Sequence, residues 1–288
     1  MRSPELISGA TRLAGVIGDP VRPSLSPAIH NAAYAAHGLD WAYVALPVRP
    51  GGVEAALRGA VALGLEGLSV TMPHKATAAA CCDELTPAAV SLGVVNATKR
   101  VGTSLVGHNT DGTGFLHALS AAGWDAAGRN AIVLGAGGTA RALTAALAGA
   151  GAARVTVAAR RADAAREVAQ LAGAVGVGVA LDRVDDAGWG GADLVANTTP
   201  VGMIGGPAPQ HALAQVELLS PRCWVIDAVY HPTETPLLVA AKGRGLSTLG
   251  GVELLVGVSA EVFTWWTDLD APLDAMSAAA LDQLGRER

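Results

Sequence analysis

Residues Ile132-Val133-Leu134 run straight into Gly135-Ala136-Gly137-Gly138-Thr139-Ala140, and an Ala- and Leu-rich stretch follows. An apolar run, a turn of small residues and a helix-forming run, in that order, restrict the fold more than any other feature of the chain. The spacing is G-x-G-x-x-G/A, with Ala140 as the third small residue. Gly135 permits a tight turn, Gly137 lets a pyrophosphate approach the backbone, and Ala140 keeps helix and strand close. The N–H groups at the helix start, together with the helix dipole, favour phosphate. The turn Gly135-Ala136-Gly137-Gly138 is therefore predicted to bind a dinucleotide. A Gly-rich turn without a ligand is the plain alternative.

Strand-like and helix-like runs alternate along most of the chain. In the first half, residues 13–17, 43–46 and 67–70 read as strands, with helical stretches at 27–36 and 53–63. In the second half, 131–134, 155–158, 192–196 and 224–227 read as strands, and 139–148 and 163–171 as helices. Helical runs at 252–267 and 273–284 follow. This alternation predicts an α/β fold with mostly parallel sheets covered by helices. At roughly 100–200 residues per domain, 288 residues suggest two domains. Gly and polar residues punctuate 118–128, so the boundary is predicted there. Residues 1–118, completed by the helices of 252–288, form one α/β domain, and 119–251 a Rossmann-type domain, with a cleft between them.

Several function classes are excluded by composition. The mean hydropathy is positive, at +0.37, yet the most apolar stretch, 171–181, is far short of the roughly 20 residues a spanning helix needs. Residues 1–10 lack a basic region followed by an apolar core, so no secretory signal is read there. The expectation is a cytoplasmic protein. A net charge of −5 with no basic stripe argues against nucleic acid. Cys81, Cys82 and Cys223 are too few for a disulfide framework and read as buried thiols. The histidines show no metal-ligand spacing, and no metal is expected.

The end of the second strand of the Gly-rich half bears on which nicotinamide cofactor is held. NAD binders usually carry an acid there for the ribose hydroxyls. Here the strand ends Ala158-Ala159-Arg160-Arg161, with no acid until Asp163. Guanidinium groups suit a 2′-phosphate, which they grip by charge-assisted, bidentate hydrogen bonds. A solvated basic turn is the alternative; the pattern favours NADP.

The first half carries polar residues that the fold alone does not ask for. Ser24-Leu25-Ser26-Pro27 places two hydroxyls before a helix start, suited to a carboxylate, although the stretch also reads as an ordinary N-cap with Pro in the first turn. Ser69-Val70-Thr71-Met72-Pro73-His74-Lys75 puts a lysine just past a strand end, where a surface lysine is the default. Val95-Asn96-Ala97 and Asn109-Thr110-Asp111-Gly112 follow, and Asp111 reads equally as a helix cap.

Taken together and in this order, these segments resemble the shikimate dehydrogenase family. The resemblance continues through Asn197-Thr198-Thr199-Pro200-Val201-Gly202-Met203 and Asp227-Ala228-Val229-Tyr230-His231-Pro232 to Thr235-Pro236-Leu237. It implies an NADP-dependent oxidoreductase that reversibly reduces 3-dehydroshikimate to shikimate, a precursor of aromatic amino acids. By the same resemblance Ser24, Ser26 and Tyr230 hold the substrate carboxylate. Thr71, Lys75, Asn96 and Asp111 surround the ring hydroxyls and the reacting C–O group, with Lys75 and Asp111 as the catalytic pair. Gly135, Gly137 and Gly138 bind pyrophosphate and Arg160 the 2′-phosphate, while Thr198, Thr199, Val229 and Gly251 line the rest of the cofactor site. The implied partner is a small molecule, in a monomer or homodimer that engages neither membrane nor nucleic acid.

Two positions depart from the family pattern. A Gln that touches substrate in the family is replaced by Val258, in Gly251-Val252-Glu253-Leu254-Leu255-Val256-Gly257-Val258-Ser259. An aliphatic side chain there also fits a quinate or aminoshikimate dehydrogenase of the same family. The usual Asn-Arg-Thr becomes Ala159-Arg160-Arg161, and a further family Arg becomes Ala164, so that Arg161 or Arg166 is expected to take its place. A reading from another class, a non-catalytic nicotinamide-binding sensor, has no use for Lys75 and Asp111.

Overall fold

The computed structural model describes residues 7–286, and of residues 186 and 187 the backbone only. Residues 1–6, 287 and 288, which fall within the regions assigned above, lie outside the described residues. The chain divides into two units: one holds the chain up to Thr110 and from Val258 onward, the other Asp111–Gly257.

The first unit contains β1 (Arg12–Gly18), α1 (Ser26–Ala36), β2 (Trp41–Pro47), α2 (Val53–Ala62), β3 (Gly67–Val70), α3 (Lys75–Cys81), β4 (Glu84–Leu85), α4 (Pro87–Leu92), β5 (Ala97–Val101) and β6 (Ser104–His108). Its sheet has the order β2-β1-β3-β5-β6-β4. The β1–β2 and β1–β3 pairs are parallel, as the alternation predicts, and the β4–β6 pair, whose strands the alternation does not place, is parallel too. The β3–β5 and β5–β6 pairs are antiparallel and fall outside that expectation. Ile17, Leu57, Leu68, Val70 and Val95 form a core cluster of this unit. At Gly67 a Cβ would run into the Thr98 carbonyl and the indole of Trp266, whose Nε1 donates to that carbonyl at 3.0 Å. A glycine is thus needed for the late aromatic segment to seat on the sheet.

The second unit contains α5 (Asp111–Ala121), β7 (Asn130–Leu134), α6 (Gly138–Gly149), β8 (Arg154–Ala159), α7 (Ala162–Ala169), β9 (Gly176–Ala180), α8 (Asp186–Gly190), β10 (Leu194–Asn197), β11 (Trp224–Asp227), α9 (Pro236–Gly243) and β12 (Ser247–Leu249). The helix α10 (Gly251–Thr267) begins in this unit and ends in the first, and α11 (Leu273–Arg286) follows it. The sheet order is β12-β11-β10-β7-β8-β9, with every pair parallel. That is the doubly wound arrangement of a dinucleotide-binding domain, and ligands of such sheets lie at the carboxyl ends of the strands. Trp189, Val195, Val225 and Leu237 are among its core residues.

The division falls at Asp111 rather than between 118 and 128 because α5 packs on α6. At Gly112 a Cβ would stand 2.6 Å from the Ala142 carbonyl and 2.8 Å from the Ala146 methyl. The absent side chain is what lets the two helices approach, and it carries α5 into the second unit. Among the described residues no helix is long and apolar enough to cross a membrane.

Candidate functional site

In the first unit, the carboxyl ends of β1 and β3 adjoin. Asp19 N donates to the Met72 carbonyl at 2.9 Å and Thr71 N to the Ile17 carbonyl at 2.9 Å. A Cβ at Gly18 would collide with the Thr71 methyl, so the close approach requires glycine. Thr71 is half-buried there. The N-cap of α1 is Leu25, with no side-chain cap, so neither Ser24 nor Ser26 serves as the helix cap. Ser24 Oγ instead accepts from Ser26 N at 3.2 Å, and Ser26 is buried. Ser24 thus sits in the turn that precedes α1, and Ser26 is the first residue of the helix.

Lys75 is the first residue of α3 and half-buried. It follows His74, whose Nε2 lies 2.6 Å from the Val48 carbonyl, and its own carbonyl accepts from Val95 N at 2.9 Å. These bonds fix the backbone on either side of the ammonium-bearing side chain. Next along, Asn96 and Thr110 bind reciprocally: Asn96 Nδ2 donates to Thr110 Oγ1 at 2.9 Å, and Thr110 N donates to Asn96 Oδ1 at 2.8 Å. Thr110 Oγ1 reaches the Val258 carbonyl at 3.4 Å. Two polar motifs that are weak signals one by one are therefore physically tied together. Asp111, the next residue, starts α5 and is buried.

Val258 is half-buried and Ser259, one residue on, is buried. As sequence neighbours on α10 they lie on different faces of that helix.

In the second unit, Gly135 has φ +118°, a region that L side chains rarely adopt. Its N donates to the Ala158 carbonyl at 2.9 Å. Thr198 seals the turn from below: both its N and its Oγ1 donate to the Leu134 carbonyl, at 3.0 and 2.7 Å. A Cβ at Gly135 would stand 2.7 Å from that Oγ1 and 3.0 Å from the Thr199 methyl. At Gly137, the cap of α6, a Cβ would meet nothing within 4 Å, so the backbone faces open space. Twelve residues of α6 follow, headed by Gly138, with Ala140 fully buried against the sheet. The turn, the open backbone and the helix start fit a pyrophosphate.

The neighbouring strand ends carry the remaining predicted cofactor residues. Thr199 N and Oγ1 both donate to Asn197 Oδ1, at 3.0 and 2.7 Å. Val229 is buried, and Gly251 lies so close to it that a Cβ would strike the Val229 carbonyl. Tyr230 is half-buried, its ring 5.2 Å from that of His231. Asn197, Asp227 and Thr235 stand within the sequence motifs, but the sequence alone assigns them no role. They form the buried network joining these loops, with Asp227 accepting from Asn197 Nδ2 at 2.9 Å, Val229 N at 3.0 Å and Thr235 Oγ1 at 2.7 Å.

Arg160 and Arg161 lie at the end of β8, Arg160 exposed and Arg161 exposed beside it. Arg160 lines a cavity of about 490 Å³ together with Asp182, Trp189, His211 and Gln215. The carboxylate of that cavity, Asp182, comes from beyond β9 rather than from the tip of β8, where NAD specificity places one. A guanidinium at that tip fits a 2′-phosphate. His211 is not marked by the sequence, because nothing local identifies a residue 51 positions away as lining the same cavity as Arg160. Among the described residues no group of three or more His, Cys, Asp or Glu could hold a metal. Cys82 and Cys223 have thiols pushed up to about 12 by burial, which removes thiolate chemistry near neutrality.

Known proteins share both units. The model of the shikimate dehydrogenase substrate binding domain matches residues 16–98. The NADP(+)-dependent shikimate dehydrogenase of Moorella thermoacetica is 41% identical over 284 residues, covering 97% of this chain and 96% of that one. A crystal structure of shikimate 5-dehydrogenase from Thermus thermophilus, in complex with NADP(H) and shikimate, superposes with a TM-score of 0.85 at 33% identity, covering 95% of this chain and 100% of that chain. Quinate dehydrogenase from Corynebacterium glutamicum, in complex with NAD, superposes with a TM-score of 0.85 at 30% identity, covering 94% and 99%. With a likeness that runs through both units and nearly end to end, the chain belongs to the shikimate dehydrogenase family.

Proposed function

We propose that this chain is an NADP-dependent shikimate dehydrogenase, which reversibly reduces 3-dehydroshikimate to shikimate. The observation that carries the reading is the 41% identity, over nearly the full length of both chains, with a relative named for that activity. The first unit binds substrate and the second binds NADP. Ser24, Ser26 and Tyr230 hold the carboxylate; Thr71 and Asn96 face the ring hydroxyls. Gly135, Ala136, Gly137 and Gly138 hold the pyrophosphate, Arg160 and Arg161 the 2′-phosphate, and Thr198, Thr199, Val229 and Gly251 the remainder of the cofactor. The protein works as a monomer or homodimer, in the cytoplasm, where the nicotinamide pool is available.

Bound NADPH supplies the hydride. As it arrives, negative charge develops on the carbonyl oxygen, and the Lys75 ammonium stabilises that charge and delivers the proton, directly or through water. Asp111 is the second member of the catalytic pair. Lys75→Ala is expected to abolish turnover while NADPH binding, followed by fluorescence, stays nearly intact. Survival of activity in that variant would remove Lys75 from the catalytic pair.

A second reading is favoured by Val258, which replaces a substrate-touching Gln, and by the likeness to a quinate dehydrogenase: the chain acts on quinate or another ring of the same class. Steady-state oxidation of shikimate and quinate, each with NADP⁺ and NAD⁺, separates the two. Preference for shikimate with NADP⁺ supports the first reading; quinate turnover supports the second. Val258→Gln then tests the residue itself, and an enzyme built for another ring gains activity on shikimate.

A further inference from the structure

The end of β11 holds a carboxylate that the chemistry above leaves unused. Asp227 is fully buried, and its three named donors, Asn197 Nδ2, Val229 N and Thr235 Oγ1, are all neutral. Burial outweighs these bonds and pushes its pKa up to about 6. A buried carboxylate held by neutral donors alone is an expensive way to fill a core position. What it offers over an amide is acceptor capacity on both oxygens, with no donor to satisfy.

Each donor comes from a different part of the proposed nicotinamide end of the site. Asn197 leads into the β10 loop, and its Oδ1 receives both Thr199 N and Thr199 Oγ1. Val229 N opens the β11 loop that carries Tyr230. Thr235 ends that loop, caps α9 by accepting from Leu238 N at 3.2 Å, and packs near Gly202, where a Cβ would lie 3.6 Å from the Thr235 Cβ. Two backbone bonds tie the same loops together: Ala228 N to the Asn197 carbonyl at 2.9 Å, and Ile204 N to the His231 carbonyl at 2.8 Å.

We infer that Asp227 is a positioning residue: its carboxylate sets the spacing between the β10 loop bearing Thr198 and Thr199 and the β11 loop bearing Val229 and Tyr230. The inference rests on the proposed function, since these loops are the ones assigned to cofactor and substrate carboxylate. Asp227 touches neither ligand itself and acts through Asn197, Val229 and Thr235. A loosened spacing therefore raises both KM values, whereas a purely structural role lowers the folded fraction and leaves KM unchanged.

The test uses the full chain with Asp227→Asn and Asp227→Ala, measuring kcat, the KM for shikimate and for NADP⁺, and NADPH binding by fluorescence titration. Asp227→Ala is expected to lose at least roughly 100-fold in kcat/KM for shikimate, with the KM for NADP⁺ raised about 10-fold. Asp227→Asn keeps one acceptor oxygen and recovers part of this, with kcat/KM roughly 5- to 20-fold below wild type and both KM values raised. Should the alanine variant fail to fold, the asparagine variant decides alone. Unchanged KM values and NADPH affinity in the folded asparagine variant would overturn the inference. Failure of the wild type to turn over shikimate would sink the functional reading instead, and the NADPH titration would still decide this one.

Discussion

The imidazole of His30 lies flat on the ring of Tyr43, with centroids 4.4 Å apart and planes 4° from parallel. The ring of Trp266 lies 5.5 Å away, and Nδ1 of His30 has no hydrogen-bond partner among the described residues. Out of water and among aromatic rings, the charged form is strongly disfavoured, and burial pushes the His30 pKa down to about 3. Because the folded value lies below the unfolded one, the contribution to stability is full above pH 6.5 and is lost as pH falls towards 3. Linkage over that interval gives a loss of about 2 kcal/mol by about pH 5. His30→Phe keeps a ring in the stack and has nothing to protonate. Relative to that variant, the wild type is expected to lose about this much stability between roughly pH 7.5 and 5, measured by urea unfolding. Parallel losses in the two proteins would mean that His30 charges without penalty.

A methyl group at Gly135 meets two obstacles. The residue sits at φ +118°, and the new Cβ would stand 2.7 Å from Thr198 Oγ1. Backbone strain of this kind costs about 1–3 kcal/mol. Relief requires the turn to move away from the Thr198 hydroxyl, which donates to the Leu134 carbonyl. Gly135→Ala is therefore expected to raise the KM for NADP⁺ by roughly 10-fold or more and to lower stability, with a smaller change in the KM for shikimate. Unaltered cofactor KM would show that the turn does not touch the pyrophosphate.

The Gly-rich turn is legible from sequence because every part of it is local: an apolar strand, small residues at fixed offsets and a helix start. Most elements of the α/β alternation can be placed for the same reason. The antiparallel hairpin of β5 and β6 cannot. Its strands carry Lys99, Arg100 and His108 and show no run of β-branched residues, and its position is settled by pairing with β3. Strand β12, with three residues, is too short to leave a pattern. The boundary at Asp111 depends on Gly112 meeting Ala142, a tertiary contact with no local signature. In the site, Ser24 and Ser26 read equally well as helix caps from sequence, whereas Leu25 holds that position in the fold. The Asn197–Asp227–Thr235 network is hidden altogether, since its members acquire a role only when residues 30 and 8 positions apart converge.

Arg160 is where cofactor choice can be measured. It lines the cavity at the end of β8 together with His211 and Asp182. A charge-assisted hydrogen bond contributes about 1.5–3 kcal/mol, so removing it weakens a 2′-phosphate ligand by roughly 10- to 100-fold. Arg160→Ala is expected to raise the KM for NADP⁺ by that factor while leaving the KM for NAD⁺ within about 3-fold. Equal changes for both cofactors would move the 2′-phosphate contact elsewhere, with Arg161 the next residue to replace.

The Asp227 carboxylate also leaves a thermodynamic trace that needs no substrate. Burial raises its folded pKa from 3.8 to about 6, against the pull of three hydrogen bonds. For a raised value the sign is opposite to that of most carboxylates: the stabilising contribution of the proton is full below pH 3.8 and is lost as pH rises through about 6. Asparagine at this position has no such dependence. On going from roughly pH 7.5 to 5, the wild type is therefore expected to gain about 1.4 kcal/mol relative to Asp227→Asn. Comparing the two proteins cancels the acid loss from His30, which is common to both. Urea unfolding at the two pH values reads the difference directly. A gap that stays constant would place the Asp227 pKa in the ordinary carboxylate range, and would mean that its hydrogen bonds outweigh its burial.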